Sequence, residues 1–449
     1  MGSTTTFKPP MPLAQRLDNP RAVRWVVLFL IFCIFLWPGY GELKVSGLPN
    51  VAPPRLIKTL LFLMLAYRFL NVGIELRRVG ERISQHWVLF GILFFYHLLL
   101  ILSFALDQAS MVLIYGYVKE EVFTNLLLMF AVIFVVRDDD DIKSIVKALV
   151  LASIGVALIA ATESFVKVNL FKSVVSNVNT ALAFGDKTRD LRYRANGTFS
   201  HPLVLAQYAA VMLPLAWWLF SQPSRKKIVW LIALVGLVTC SILSVTRSGL
   251  VLLIVSAIAI TLVSATRWWY RCKNGVLKML LLTQAIGWGF LVIFSVSGWI
   301  TRLIEGTTRE ESSSSFYRLE VLRSAIPKIL SSPLIGYGPT HAMEGVGVGR
   351  MGNIIDNYFL LVGLESGIFA AMLLLVLFVV ASKTAWHKFS LKQGISIHHM
   401  LAISSVIFCM FLLFVHALPE LLPLFYIFLG LMASATKNKK SSIALSNPL

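Results

Sequence analysis

Residues 87–106 read WVLFGILFFYHLLLILSFAL, twenty residues without a single Asp, Glu, Lys or Arg. About 20 apolar residues in a helix cross the roughly 30 Å hydrocarbon core of a bilayer, and backbone groups in lipid must pair within such a segment. Similar runs recur along the whole chain, which is 57% hydrophobic and 14% charged. A soluble chain would carry about 25% charged residues. The sequence therefore predicts an all-α integral membrane protein.

The apolar runs number about twelve. Their predicted bounds are 23–38, 55–73, 87–106, 121–136, 144–165, 201–220, 228–244, 248–266, 279–299, 356–382, 399–416 and 420–436. The first run follows a polar tail and has no small-residue cleavage site, so we interpret it as a retained helix. This predicts a cytoplasmic tail at 1–22, a polytopic membrane domain at 23–436 and a second cytoplasmic tail at 437–449.

Lys and Arg in the short loops set the orientation, because such residues are retained on the cytoplasmic side. With both termini inside, the inside segments collect Arg77, Arg78, Arg82, Arg225, Lys226, Lys227, Arg267, Arg271, Lys273, Lys278, Lys383, Lys388, Lys392, Lys437, Lys439 and Lys440. The short outside connections hold few basic residues.

Two long outside loops, about 166–200 and 300–355, are also basic. They contain Lys167, Lys172, Lys187, Arg189, Arg192, Arg194, Arg302, Arg309, Arg318, Arg323, Lys328 and Arg350. The net charge of +19 would suggest nucleic acid in a soluble protein, but here the outward charge favours a phosphate or pyrophosphate group. Solvated loop charge or contact with anionic lipid is the alternative.

The second loop contains an apolar pattern at helical spacing, formed by Phe316, Leu319, Leu322, Ile326 and Ile329. It predicts an amphipathic helix on the outer interface, with a serine of 312–315 as its N-cap. Glycine-rich sequence follows, including a literal G-x-G-x-x-G at 347–352. That motif follows no strand, so a hinge or lid is favoured over a dinucleotide site.

Asp138 to Asp141 precede the fifth run on the predicted cytoplasmic side, where carboxylates favour a helix N-terminus. Helix capping is the favoured interpretation and a metal site the alternative. The four cysteines show neither metal-ligand nor disulfide spacing.

Several polar groups fall at the outer ends of the runs. Arg247 interrupts apolar sequence between the seventh and eighth runs, His201 opens the sixth, and Asp356 and Asn357 open the tenth. A charge beside hydrocarbon is costly and is normally paired or functional, although an arginine can also snorkel to the interface. Convergence of Arg, His and a carboxylate on one side is what a phosphate-handling acid/base site needs.

In these stretches the chain resembles the O-antigen ligase and Wzy-type polymerase superfamily. The matching segments are RANGTFSHPLVLAQ at 194–207, TRSG at 246–249, FYRLEVLRSAIPKILSSPLIGYG at 316–338 and DNYFLLVGLESG at 356–367. They occur in the family's order, and the resemblance covers about residues 20–436.

The resemblance implies a GT-C-like membrane glycosyltransferase of the bacterial inner membrane, with its site on the periplasmic side and no metal or cofactor. Its donor would be an undecaprenyl-pyrophosphate-linked glycan, and its acceptor a lipid-linked repeat unit or lipid A-core. A chain-length regulator could be a partner besides membrane lipids, and no nucleic acid is expected. Arg194, Arg247 and Arg318 match the arginines to which the family assigns pyrophosphate binding.

Asp356 is the expected general base, with His201 as the next candidate. Asn357, Arg323 and Arg350 are expected to support the site. Ligases usually place histidine where Asp356 stands, and the His-Pro at 201–202 looks more like exopolysaccharide polymerases. The interpretation is therefore a polysaccharide polymerase, with an O-antigen ligase and then a lipid-linked glycan flippase as alternatives.

Overall fold

The computed structural model describes residues 20–38, 41, 52–71, 73–107, 111–171, 188–189, 192–272, 275–276, 278–279, 283, 309–346, 355, 357–387, 395–413 and 420–434. The helices of the first half are α1 Pro20–Leu36, α2 Pro53–Asn71, α3 Gly73–Gln85, α4 Trp87–Leu106, α5 Met111–Tyr117, a π-helical turn Val118–Asn125, α6 Leu126–Val135 and α7 Asp139–Val166. Those of the second half are α8 Pro202–Ser221, α9 Lys227–Leu243, α10 Arg247–Arg271, α11 Arg309–Ser331, α12 Gly338–His341, α13 Tyr358–His387, α14 Ile397–Leu412 and α15 Leu422–Ser434. A short antiparallel hairpin pairs β1 Thr188–Arg189 with β2 Arg192–Tyr193.

Five helices of the described chain, α4, α7, α8, α10 and α13, are long and apolar enough to cross a bilayer. The helices α1, α6, α9, α14 and α15 are apolar but shorter. The fold is thus helical with several candidate spans, while the count of twelve stays a prediction. The predicted ninth run, 279–299, lies outside the described residues except for 279 and 283.

Helix α8 occupies the centre of the bundle and packs against α7, α9, α10 and α14. Its residues are buried on nearly every side, as expected of a helix that is apolar all round. Around this centre, α4 packs along α13, α6 along α15, and α1 along α7. Both ends of α8 are therefore enclosed by the ends of neighbouring helices.

Charged side chains complete the helix ends on the predicted cytoplasmic side. Asp138 Oδ1 accepts from the backbone N–H groups of Asp140 (3.0 Å) and Asp141 (2.9 Å), which confirms the predicted cap of α7. Asp141 also pairs with Arg24 of α1 at 2.5 Å. On α3, buried Arg82 donates to the carbonyl groups of Ile133 (2.7 Å) and Val136 (2.5 Å) at the end of α6.

The amphipathic helix of the second loop is present as α11, but its predicted N-cap is wrong. The helix begins at Arg309, so serines 312–315 lie inside it and none is its N-cap. Val321, Ala325 and Ile329 pack against the protein, whereas the predicted residues Leu319, Leu322 and Ile326 are exposed on its surface. The helix therefore has apolar residues on two faces: one contacts α13, and the other is turned away from the protein. The sequence pattern alone does not show which face contacts α13.

Candidate functional site

The segment from Arg194 to His201 runs without regular structure from the hairpin to the start of α8. The backbone N–H of Ala195 donates to the carbonyl of Leu243 (3.0 Å), and Arg194 Nε donates to the carbonyl of Ser244 (3.3 Å). These two bonds attach the segment to the end of α9, directly before the turn that leads into α10. Arg194 and Arg247 are therefore carried by adjoining backbone segments, although 52 residues separate them in the sequence.

A buried carboxylate from α7 holds the first half of this segment. Glu163, which has no exposed surface, accepts from the N–H groups of Gly197 (2.6 Å) and Asn196 (3.2 Å) and from the Tyr193 hydroxyl (3.0 Å). Gly197 has a positive φ of 60°, a conformation that glycine adopts without steric cost. The carboxylate thus replaces the hydrogen bonds that a helix or sheet would give these amides.

A second carboxylate holds the other half. Both oxygens of Glu420, just before α15, lie 3.1 Å from the backbone nitrogen of Ser200. The next residue, His201, caps α8: its Nδ1 accepts from the N–H of Leu203 at 3.1 Å. A neutral imidazole that accepts at Nδ1 carries its proton on Nε2, so in this arrangement the ring has no free nitrogen to take up a proton. Helix capping is the role that this geometry supports for His201.

The turn between α9 and α10 presents Arg247 as the first residue of α10. Val245 in this turn has a positive φ of 48°, which is rare for a β-branched residue and is found most often at functional sites. The Ser244 and Thr246 hydroxyls lie 2.8 Å apart and pair with each other. A Cβ on Gly249 would lie only 2.2 Å from Ala206 Cβ, so glycine permits α10 to approach α8 at this level.

The start of α13 is capped by Asn357. Its Oδ1 accepts from the N–H of Leu360 (3.0 Å), the bond expected between an N-cap residue and the third residue of the helix. Two other predicted site residues, Asp356 and Arg350, lie outside the described residues. Of the α11 arginines, Arg323 is exposed, and for Arg318 the structure describes the backbone, which is helical.

The loop after α11 is docked onto α13 and α4. The N–H of Tyr337 donates to the carbonyl of Leu364 (2.8 Å), and the N–H of Ile368 donates to the carbonyl of Pro333 (2.9 Å). Gly367 interrupts the helical geometry of α13 at this contact, with a φ of 86°. A Cβ on Gly367 would lie 2.5 Å from the Pro333 carbonyl, so the close approach requires glycine.

Asp107, at the end of α4, receives the same loop. Its carboxylate accepts from the N–H of Thr340 at 2.9 Å and from the Thr340 hydroxyl. His341 lies with Nε2 3.6 Å from Asp107 Oδ1 and Nδ1 2.9 Å from Glu344 Oε1. The hydrogen bond and charge of Glu344, followed by the charge of Asp107, raise the pKa of His341 above its ordinary value.

Buried and half-buried tyrosine hydroxyls form hydrogen bonds near the start of α13. The hydroxyls of Tyr96 and Tyr358 are 3.2 Å apart. His97, in the middle of α4, has Nδ1 2.7 Å from the Tyr117 hydroxyl and Nε2 2.8 Å from the Tyr426 hydroxyl. A polar residue within a membrane helix is expensive unless it is paired, and these bonds connect α4, α13 and α15 through paired groups.

Sequence reasoning missed Glu163, Glu420 and Asp107. Each is an isolated carboxylate at the end of an apolar run on the predicted outer side. That position was a usable signal, because a charge there is normally paired or functional.

One part of the chain matches a known protein family. Residues 232–375 match the family model described as O-antigen ligase, and no curated protein matches the chain. The matched range spans the Arg247 turn, α11 and the first half of α13. It supports a ligase- or polymerase-type glycosyltransferase that acts on lipid-linked glycans, and together with the apolar helices it supports an integral membrane protein. The match confirms, over residues 232–375, the resemblance read from the motifs to the O-antigen ligase and Wzy-type polymerase superfamily.

Proposed function

We propose that this protein polymerises undecaprenyl-pyrophosphate-linked oligosaccharide repeat units on the periplasmic face of the bacterial inner membrane. The observation that carries the proposal is the attachment of the Arg194 segment to the α9–α10 turn, through Ala195 N–H to Leu243 O (3.0 Å) and Arg194 Nε to Ser244 O (3.3 Å). Two arginines at one end of the bundle suit a pyrophosphate, whose oxygens a guanidinium can grip in pairs.

In the proposed reaction, a hydroxyl oxygen of the acceptor sugar attacks the anomeric carbon of the donor. A new glycosidic C–O bond forms, the C–O bond to pyrophosphate breaks, and undecaprenyl pyrophosphate leaves with the bonding electrons. The hydroxyl proton passes to the Asp356 carboxylate. Charge grows on the departing pyrophosphate, so fixed guanidinium groups of Arg194, Arg247 and Arg318 stabilise the transition state more than the ground state.

Asn357 supports the assignment of Asp356 as the base. An aspartate at this position could instead cap the tenth run, but the side chain that accepts from Leu360 N–H is that of Asn357. One capping residue satisfies this amide, so this bond gives no reason to assign a capping role to Asp356. Glu163 and Glu420 act in the proposal as positioning residues, because both accept from backbone amides of the segment that carries Arg194.

The test is turnover by the purified full chain in proteoliposomes, with undecaprenyl-pyrophosphate-linked oligosaccharide extracted from the source membranes as the donor. A ladder of lengthening glycan with release of undecaprenyl pyrophosphate supports the polymerase. Single transfer to added lipid A-core would instead indicate the ligase. Movement of donor across the bilayer without release of undecaprenyl pyrophosphate would overturn both in favour of a flippase.

The adjacent pair Asp356 and Asn357 offers a matched test of the base. Asp356→Asn should lose about 10²–10⁴-fold in rate, the usual contribution of a general base, while donor binding survives. Asn357→Asp should retain most activity, because aspartate caps a helix about as well as asparagine. Near-normal turnover of Asp356→Asn would remove Asp356 from the chemistry.

A further inference from the structure

A groove of about 400 Å³ opens on the surface of the bundle between α10, α13 and α14. Its walls are apolar and include Val255, Ala259 and Met410. At one end of it lie three residues near the end of α13, Ser382, Lys383 and Trp386. The groove is thus amphiphilic, with a long apolar part and one polar end.

The polar end carries unsatisfied hydrogen-bonding groups. Ser382 Oγ is shielded from solvent and has no hydrogen-bond partner, which is uncommon because buried polar atoms are nearly always paired. Lys383 is exposed, and no residue lining this groove is acidic. On α10, Arg267 follows the buried residues Ile260 and Val263 toward the same end of the bundle, and its Nε is also shielded without a partner. Donors and cations without an acceptor fit a bound anion.

The predicted orientation places this end in the cytoplasmic leaflet. Lys383, Lys388 and Lys392 follow the tenth apolar run in the sequence, and their charge assigns this end of α13 to the inside. Tryptophan is enriched where a membrane protein meets the headgroups, and Trp386 stands one helical turn beyond Ser382. The polar end of the groove would then lie at headgroup level, with its apolar part toward the bilayer centre.

We propose that this groove binds one anionic phospholipid of the cytoplasmic leaflet. The lipid phosphate would contact Lys383 and Ser382, and one acyl chain would lie along Val255, Ala259 and Met410. The site is remote from the outer-end cluster, and the inference does not rest on the proposed glycan chemistry. It rests on the groove, its charge and its unpaired hydroxyl.

A second groove between α1 and α7 serves as the internal comparison. It encloses about 480 Å³ and is lined by Arg24, Trp25, Ser144 and Lys147 among others. There Arg24 and Ser144 already pair within the protein, since Arg24 lies 2.5 Å from Asp141 and donates to Ser144 Oγ at 2.6 Å. Acidic residues therefore serve this groove from within the protein: Asp141 pairs with Arg24, and Asp140 interacts electrostatically with Lys147.

The experiment is native mass spectrometry of the purified full chain with equimolar phosphatidylglycerol and phosphatidylethanolamine. The wild type should retain phosphatidylglycerol in preference to phosphatidylethanolamine. Lys383→Gln should lower that retention about fivefold, the weight of one lysine near an anionic headgroup, and Ser382→Ala should lower it by less. The matched control Lys147→Gln removes one lysine from the second groove and should leave retention unchanged.

Three results would overturn the proposal. One is equal retention of the two lipids by the wild type, which needs no variant to interpret. Another is the same loss in Lys147→Gln as in Lys383→Gln, which would reduce the effect to general charge. The third is displacement of phosphatidylglycerol by equimolar undecaprenyl phosphate, which would assign the groove to the polyprenyl carrier.

Discussion

At the predicted cytoplasmic end of the bundle, Arg82 and Asp138 satisfy backbone groups at the ends of regular helices, whereas at the predicted outer end two glutamates hold a segment without regular structure. Arg82 completes the end of α6 through Ile133 and Val136, and the groups it satisfies belong to a regular helix. Glu163 and Glu420 instead hold amides of the irregular segment 196–200. Charged side chains thus satisfy the ends of regular helices at the cytoplasmic end and hold an irregular segment in place at the outer end. Functional groups are commonly carried by such loops on a rigid scaffold, which favours the outer end as the site of chemistry.

The largest expected effect is a difference in polymerisation rate between substitutions at the two ends of α10. Arg247→Ala, at the first residue of α10, should lower glycan polymerisation about 100- to 1,000-fold, the usual loss when one charge-stabilising donor is removed. Arg247→Lys should rescue poorly, because an ammonium group cannot grip two phosphate oxygens with one planar fork. Arg271→Ala, at the last residue of the same helix, should leave the rate unchanged. Equal activity of Arg247→Ala and Arg271→Ala would remove the functional difference between the ends.

The next effect concerns the buried carboxylate of α7. Glu163→Gln keeps the shape but loses the negative charge and places an NH₂ donor among groups that donate, so unfolding free energy should fall by about 3 kcal/mol. Activity per folded molecule should fall as well, because the segment carrying Arg194 loosens. Thermal unfolding in detergent and the turnover assay give the two readings. Glu81→Gln is the control, since Glu81 forms an exposed pair with Arg77 that contributes little to stability.

Arg82→Gln tests the opposite end. Burial and the neighbouring Arg78 lower the pKa of Arg82 to about 10, so the side chain still carries its charge at neutral pH. Its loss leaves the carbonyls of Ile133 and Val136 without this donor and should lower the unfolding free energy by about 2 kcal/mol. The folded fraction should keep its full rate, unlike that of Glu163→Gln. A fall in rate per folded molecule would contradict a purely structural cytoplasmic end. Arg77→Gln, on the exposed face of α3, is the matched control.

The smallest effect is a pH dependence of the docked loop at the outer end. His341 faces Asp107 and Glu344, and Lys328 donates to the carbonyls of His341 (2.8 Å) and Glu344 (2.5 Å). The pKa of His341 is raised, so its stabilising contribution is complete below the ordinary histidine value of about 6.5. That contribution is lost as the pH rises through the raised value. Hydrogen exchange of residues 338–346 should accelerate over that window in the wild type and lose this step in His341→Gln. An unchanged step in the variant would assign it to another group.

The apolar runs predicted the helices well where the run and the helix coincide. The predicted 87–106 is α4 to the residue, whereas the predicted 144–165 misses the first turn of α7 because Asp139 to Asp141 are charged. The Asp138 cap was predictable because a cap is a local feature. The buried face of α11 was not, because both faces are apolar and tertiary contact with α13 decides between them.

The candidate site likewise contains residues that the sequence predicted and residues that it did not. The motifs identified the segments of Arg194, His201 and Arg247, since those segments carry polar groups in apolar surroundings. Glu163 and Glu420 escaped notice because their partners lie 34 and 220 residues away, and a single glutamate carries no pattern. The capping role of His201 Nδ1 also depends on a side-chain rotation that the sequence does not specify.

The two carboxylates that hold residues 196–200 have a consequence for biogenesis. Chains are made from the N-terminus, so Phe35 and Glu163 are synthesised before the segment. The carbonyl of Phe35 accepts from the Thr198 hydroxyl at 2.8 Å. Glu420 follows more than 200 residues later, just before α15. A nascent chain therefore carries the segment half-anchored through the insertion of every helix from α8 to α14. The segment gains its contact with Glu420 only when the chain just before α15 has been made. Formation of that contact therefore marks the insertion of the last described helix.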